Sequence, residues 1–239
     1  LHMVITKMAL PRRTFLRGLG ATLALPMPIP KLCTLVVGSA YDAALHDAYG
    51  KAFGVSVYET YGRTHMRSDL AADLGPDFAG EYLDRYVPAA PRPVIPVFHS
   101  VGAGDPLETS DVGTPIGDGL PETLEAWIPH DGLIRFKIKL NGGNLAADFE
   151  RVVRIDRIVT RVQAGRKIGD WKYILDFNEG CPNVAYLLEF LHKLREATPS
   201  GFDRILYIEQ PTARDLKRDR ANVMHEAAKL RPIVADEAL

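Results

Sequence analysis

"LIRFKIKLNGG", residues 133–143, decides the fold of this chain. Phe136, Ile138 and Leu140 alternate with Arg135, Lys137 and Lys139, the period-two pattern of a strand with one apolar and one cationic face. The apolar face belongs against helices. Two lysines in step on the other face need a reason beyond packing, and the neighbouring segments supply one.

Upstream, "PVIPVFHSVG" (93–102) reads as a buried strand, the Gly/Asp/Pro-rich stretch to Gly119 as its loop, and "PETLEAWI" (121–128) as a short helix with proline in its first turn. Downstream, helix "LAADFERVVRIDRIVTRV" (145–162) leads to strand "YILDFNE" (173–179), and helix "NVAYLLEFLHKLRE" (183–196) leads to "RILYIEQP" (204–211). A last helix, "NVMHEAAKL" (222–230), precedes "PIVADEAL" (232–239). Strand and helix in repeated alternation, with Ile, Leu and Val filling the strands, predict an α/β fold with a parallel sheet covered by helices. Ahead of these units, "SAYDAALHDAYGKAFG" (39–54) predicts a helix stopped by Gly50 and Gly54. Residues 60–92 read as a polar excursion with one short helix near Glu81–Tyr86.

The composition, 239 residues with 46% hydrophobic, 25% charged and a formal charge of −1, is that of a globular domain with a sizeable core. Near-neutral charge gives no electrostatic footprint for nucleic acid, and no apolar run approaches the length of a membrane span. Small-molecule chemistry remains. Cys33 and Cys181 are far apart and outside any CxxC or Cys/His cluster, so they read as buried or idle thiols. "PRRTFLRGLGATLALPMPIP" (11–30) has two readings, a twin-arginine export signal or a helix and linker left from a preceding domain. The cytoplasm is the expected location, with export as the alternative.

The predicted strands end in polar residues: Lys137 and Lys139, then Asp176 and Asn178, then Glu209, then Asp236 and Glu237. Taken singly, a strand-end Asp caps the next helix and a strand-end Lys is solvated. The recurrence on four strands, spaced by 37, 33 and 27 residues from Lys139 to Asp236, suits one strand-helix unit per step. In a parallel barrel the carboxyl ends of the strands meet at one mouth, which would gather these groups. Carboxylates so close repel, and a divalent cation removes the conflict. An oxygen-only set without His or Cys favours Mg²⁺. His46 and His99 read as structural, although a mouth position for His99 stays open.

In this order "KIK", "LDFNE", "YIEQP" and "ADEAL" resemble the mandelate racemase/muconate lactonizing enzyme family of the enolase superfamily, from about Leu32 to the last residue. The resemblance implies a partial (β/α)8 barrel of about the first five strands over residues 32–239, with residues 1–31 a capping-domain remnant or signal-like segment. It implies Mg²⁺ on Asp176, Glu209 and Asp236, with Lys139 as the base that takes the proton alpha to a carboxylate. Lys137 would lie beside Lys139, lower its proton affinity and help hold the substrate carboxylate, and Asn178 would line the mouth.

The reaction implied is racemisation, epimerisation, cycloisomerisation or elimination of a small carboxylate through an enolate. Without the cap and the later strands, a fragment of such an enzyme is expected to turn over little or nothing, and its open sheet edges to favour self-association into a homo-oligomer. Two other classes stay open: a Schiff-base lyase or aldolase with Lys139 as the amine, and a non-catalytic carboxylate-binding remnant.

Overall fold

A computed structural model describes residues 31–88, 90, 92–215 and 217–236, with side chains from Cys33 onward. The paired arginines near the start and Glu237 lie outside the described residues. The chain packs as two units that divide between Pro93 and Val94.

In the first unit, α1 spans Lys31–Phe53 and so begins well before the predicted Ser39. It also runs through Gly50, where the following chain folds back so closely that a Cβ would lie 2.8 Å from the Val57 nitrogen. Gly54, at φ +69°, follows the helix in the left-handed region that glycine tolerates best. Among the described residues only short turns follow, the 3₁₀ turns Val57–Thr60, Pro76–Phe78 and Leu83–Arg85 and the α-helical turn α2 (Ala71–Leu74). The helix predicted near Glu81–Tyr86 is thus a three-residue 3₁₀ turn.

The second unit holds strands β1 (His99–Val101), β2 (Arg135–Lys139), β3 (Lys172–Asp176), β4 (Ile205–Glu209) and β5 (Ile233–Val234), all parallel and paired in chain order. Helices α3 (Leu124–His130), α4 (Leu145–Gly165), α5 (Val184–Ala197), α6 (Pro199–Phe202) and α7 (His225–Leu230) lie between them in sequence. β1 is shorter than the predicted 93–102, for Pro93 and Pro96 have no N–H to give a ladder. α3 starts at Leu124, and Thr123, not Pro121, marks its entrance: the Thr123 hydroxyl accepts the Ala126 N–H at 3.2 Å. Asn144 and Asn183 cap α4 and α5 in the same way.

Phe136, Ile138 and Leu140 are buried with Val152, Ile155 and Val159 of α4 and Leu187, Phe190 and Leu191 of α5 in one core. The opposite face of the sheet is concave. Phe98, just before β1, meets Tyr207 of β4 with ring centroids 6.3 Å apart. In a flat sheet three strand spacings would hold those backbones about 14 Å apart. Sequential parallel strands that curl this strongly, each followed by a helix, form part of a TIM-type barrel wall. Among the described residues no helix is long and apolar enough to cross a membrane.

Candidate functional site

Alternation sets which side chains enter the concave face. Lys137 and Lys139 lie between the buried Phe136, Ile138 and Leu140, so both ammonium groups project into the curl. Pairing then aligns the strand ends: Lys139 is opposite Asp176, Asp176 opposite Glu209, and Glu209 opposite Val234. Lys139, Asp176 and Glu209 are the last residues of three neighbouring strands at one level.

The four groups form an ion network. Lys139 Nζ donates to Asp176 Oδ2, Lys137 Nζ stands 3.0 Å from the same oxygen, and Lys137 also donates to Glu209 Oε1. The Asp176 side chain is fully buried and that of Glu209 is 9% exposed, while the lysines keep 25% and 29%. Burial alone would raise the Asp176 pKa, but Lys139, the Asn178 backbone N–H and Lys137 together hold the carboxyl below its usual range. Glu209 goes the other way. Its burial, joined by the charges of Asp176 and Asp236, outweighs Lys137 and raises its pKa. Burial would lower the Lys137 pKa, yet hydrogen bonds to Glu209 and Asp176 raise it well above the usual lysine value. Lys137 therefore holds its proton more firmly than a free lysine.

Asp236 and Asn178 sit differently. Val234 pairs with Glu209, and Asp236 follows two residues later, beyond the end of β5, and is exposed. Asn178 is also exposed, and its backbone N–H donates to Asp176 Oδ1 at 2.9 Å. His99 is the register partner of Phe136 and lies 6.0 Å from the Trp127 ring, which places it on the helix-covered face and away from the lysines. The His46 ring bonds the Asp42 carbonyl one helical turn back. Cys181 is buried and Cys33 exposed, both as free thiols.

The loops that follow the strands are stitched to one another by groups the sequence does not single out. Asp148, in the first turn of α4, accepts the N–H groups of Asn141 (3.0 Å) and Gly142 (2.8 Å) and the Tyr186 hydroxyl (3.1 Å). Glu179 forms a forked pair with Arg214 and accepts its backbone N–H at 2.8 Å. Asn178, Glu179 and Gln210 adopt φ of +44°, +68° and +33°, and non-glycine residues stay there only where their surroundings hold them. An Asp in a helix's first turn was a legible signal for Asp148; nothing local marks Glu179 and Arg214 as partners.

The donor set suits a hard cation in its chemistry: Asp176 and Glu209 end two neighbouring strands side by side, their repulsion balanced by lysines, and Asp236 follows just beyond the third. Among the described residues, however, no three Asp, Glu, His or Cys side chains converge as a metal site.

No family model and no curated protein matches the chain. Among solved structures it is similar to a mandelate racemase/muconate lactonizing protein from Herpetosiphon aurantiacus, at 24% identity over 46% of this chain and 27% of that one, with a TM-score of 0.35. An N-succinyl Arg/Lys racemase from Bacillus cereus aligns at 26% identity over 60% of this chain and 31% of that one, with a TM-score of 0.42. A muconate cycloisomerase from Pseudomonas fluorescens aligns at 21% identity over 65% and 35%, with a TM-score of 0.41. The chain thus spans between 27% and 35% of the length of these proteins.

Proposed function

We propose that the concave face carries the proton-abstracting half of an enzyme that acts on small carboxylic acids at the carbon alpha to the carboxylate. One observation carries this reading: two lysines in step on β2 face the strand-end carboxylates of β3 and β4 at the same level of a curled parallel sheet. The order of "KIK", "LDFNE", "YIEQP" and "ADEAL" supports it as a resemblance to the enolase superfamily.

A proton alpha to a carboxylate is weakly acidic because its removal puts a second negative charge on the same group, so positive charge must stand where that charge develops. Lys137, kept protonated by Asp176 and Glu209, is a fixed cation at the floor of the curl and orients the substrate carboxylate. Lys139, at the strand end and nearer the opening, first gives up its ammonium proton to solvent and then, as the neutral amine, takes the alpha proton on its Nζ. Mg²⁺, held by Asp176, Glu209 and Asp236 when bound, would supply further charge stabilisation to the substrate carboxylate. Asn178 borders the opening and keeps Asp176 ionised through its backbone N–H.

The test follows the alpha proton by NMR in deuterated solvent, with this chain, Mg²⁺ and a panel of chiral 2-hydroxy and N-acylamino acids. A single lysine base predicts slow exchange of one enantiomer with its configuration retained. Loss of that exchange in Lys139→Ala, with fold intact, supports the reading. Absence of exchange across the panel, or equal exchange in Lys139→Ala, defeats it.

A further inference from the structure

We infer that Gln210 is a positioning residue, which holds the backbone of Asp236 against the end of β4 and so sets where the third carboxylate of the site stands; this rests on the reading of Asp176, Glu209 and Asp236 as one ligand set. Gln210 is 4% exposed and directly follows Glu209. Its backbone N–H donates to the Val234 carbonyl at 2.9 Å, and its carbonyl accepts the Glu179 N–H at 2.8 Å. The side chain completes the set: Oε1 accepts the Asp236 N–H at 3.0 Å, and Nε2 donates to the Thr212 carbonyl at 2.9 Å.

Each of these bonds ties a different piece of backbone. β5 ends at Val234, so the ladder between β4 and β5 stops level with Glu209, and the Asp236 N–H would find no strand partner. The Gln210 amide takes the place of the next ladder bond and carries the chain out to Asp236. Through its carbonyl the same residue fixes the loop that follows Asp176. It links the backbone around all three carboxylates while held at φ +33°, a conformation that persists in a glutamine only when surrounding bonds over-determine it. Glutamine is the side chain the position asks for, since an acceptor and a donor are both used at a reach of two methylenes.

The experiment compares the full chain with Gln210→Met, of similar length but without the amide, and with Gln210→Glu, which keeps the acceptor. Amide hydrogen exchange is read at Asp236 and, as a control, at Tyr173; Mn²⁺ affinity is read by electron paramagnetic resonance. Gln210→Met should speed exchange at Asp236 by at least about tenfold, leave Tyr173 unchanged and weaken Mn²⁺ about tenfold, whereas Gln210→Glu should restore protection at Asp236. If Gln210→Met fails to fold, Gln210→Gly accepts the positive φ without strain and should give the same release. Wild-type protection at Asp236 in Gln210→Met or Gln210→Gly, fast exchange in Gln210→Glu, or unchanged Mn²⁺ affinity beside a released amide would each overturn the inference. A wild-type chain that binds no Mn²⁺ defeats the ligand-set reading instead, and exchange at Asp236 still decides whether Gln210 holds that backbone.

Discussion

Lys137 on β2 reaches past β3 to donate to Glu209 on β4, and on the way stands 3.0 Å from Asp176. A flat sheet would separate β2 and β4 by about 10 Å, so the contact depends on the curl as much as on the side chains. The same curl that makes the face concave converts two buried like charges into a balanced network.

Removing the bridging cation tests that balance. Lys137→Met should destabilise the fold by about 2–4 kcal/mol, because Glu209 loses its cation and Asp176 one of two. Pairing it with Glu209→Gln should recover part of the loss, as the uncompensated buried carboxylate disappears. Urea unfolding of the two single variants and the double variant gives the coupling, and strict additivity would contradict the network.

The backbones of two loops touch at the strand ends. A Cβ on Gly142, at φ +70°, would lie 2.2 Å from the Gly180 carbonyl carbon, and one on Gly180 would lie 2.0 Å from the Asn141 oxygen. Gly142→Ala and Gly180→Ala should each cost about 2–4 kcal/mol. Gly143→Ala, with nothing within 4 Å of its Cβ, should cost under about 1 kcal/mol. Thermal melts of the three variants separate close approach from mere loop location.

Asp148 satisfies two backbone donors in the loop after Lys139. Asp148→Ala should cost about 2–3 kcal/mol, since buried N–H groups are left unpaired, whereas Tyr186→Phe, which removes only the 3.1 Å hydroxyl bond, should cost about 1 kcal/mol. A reversed order in denaturant titrations would mean that the tyrosine, not the carboxylate, anchors the loop.

Asp156 gives a pH signature far from the lysines. Burial raises its pKa, opposed by the Thr198 hydroxyl at 3.1 Å and by Arg204 at 3.7 Å. With the folded pKa above the unfolded value of about 3.9, the stability linked to this group is fully present below pH of about 4 and is lost as pH rises through the folded pKa. Asp156→Asn removes that titration, so its stability relative to the parent should improve as pH rises from about 3.5 toward neutrality. A relative stability that does not change with pH would refute the assignment.

Periodicity and punctuation alone determined the α/β class, the parallel strands and the lysine face, because each depends on neighbours a few residues away. Phe136, Ile138 and Leu140 pack as their alternation requires, and Asn144 and Asn183 cap the helices they precede. Element ends were less legible: prolines shortened β1, and α1 runs through Gly50, whose missing side chain leaves room for the Val57 backbone. Ladder register pairs Val234, not Asp236, with Glu209, a placement that spacing along the chain does not reveal. The curl, the bridge from Lys137 to Glu209 and the hold of Gln210 on Asp236 join residues up to 109 positions apart, Phe98 and Tyr207 being the farthest in sequence. Such contacts arise from the three-dimensional closure of the sheet, which no local pattern encodes, so only the tertiary structure decided them.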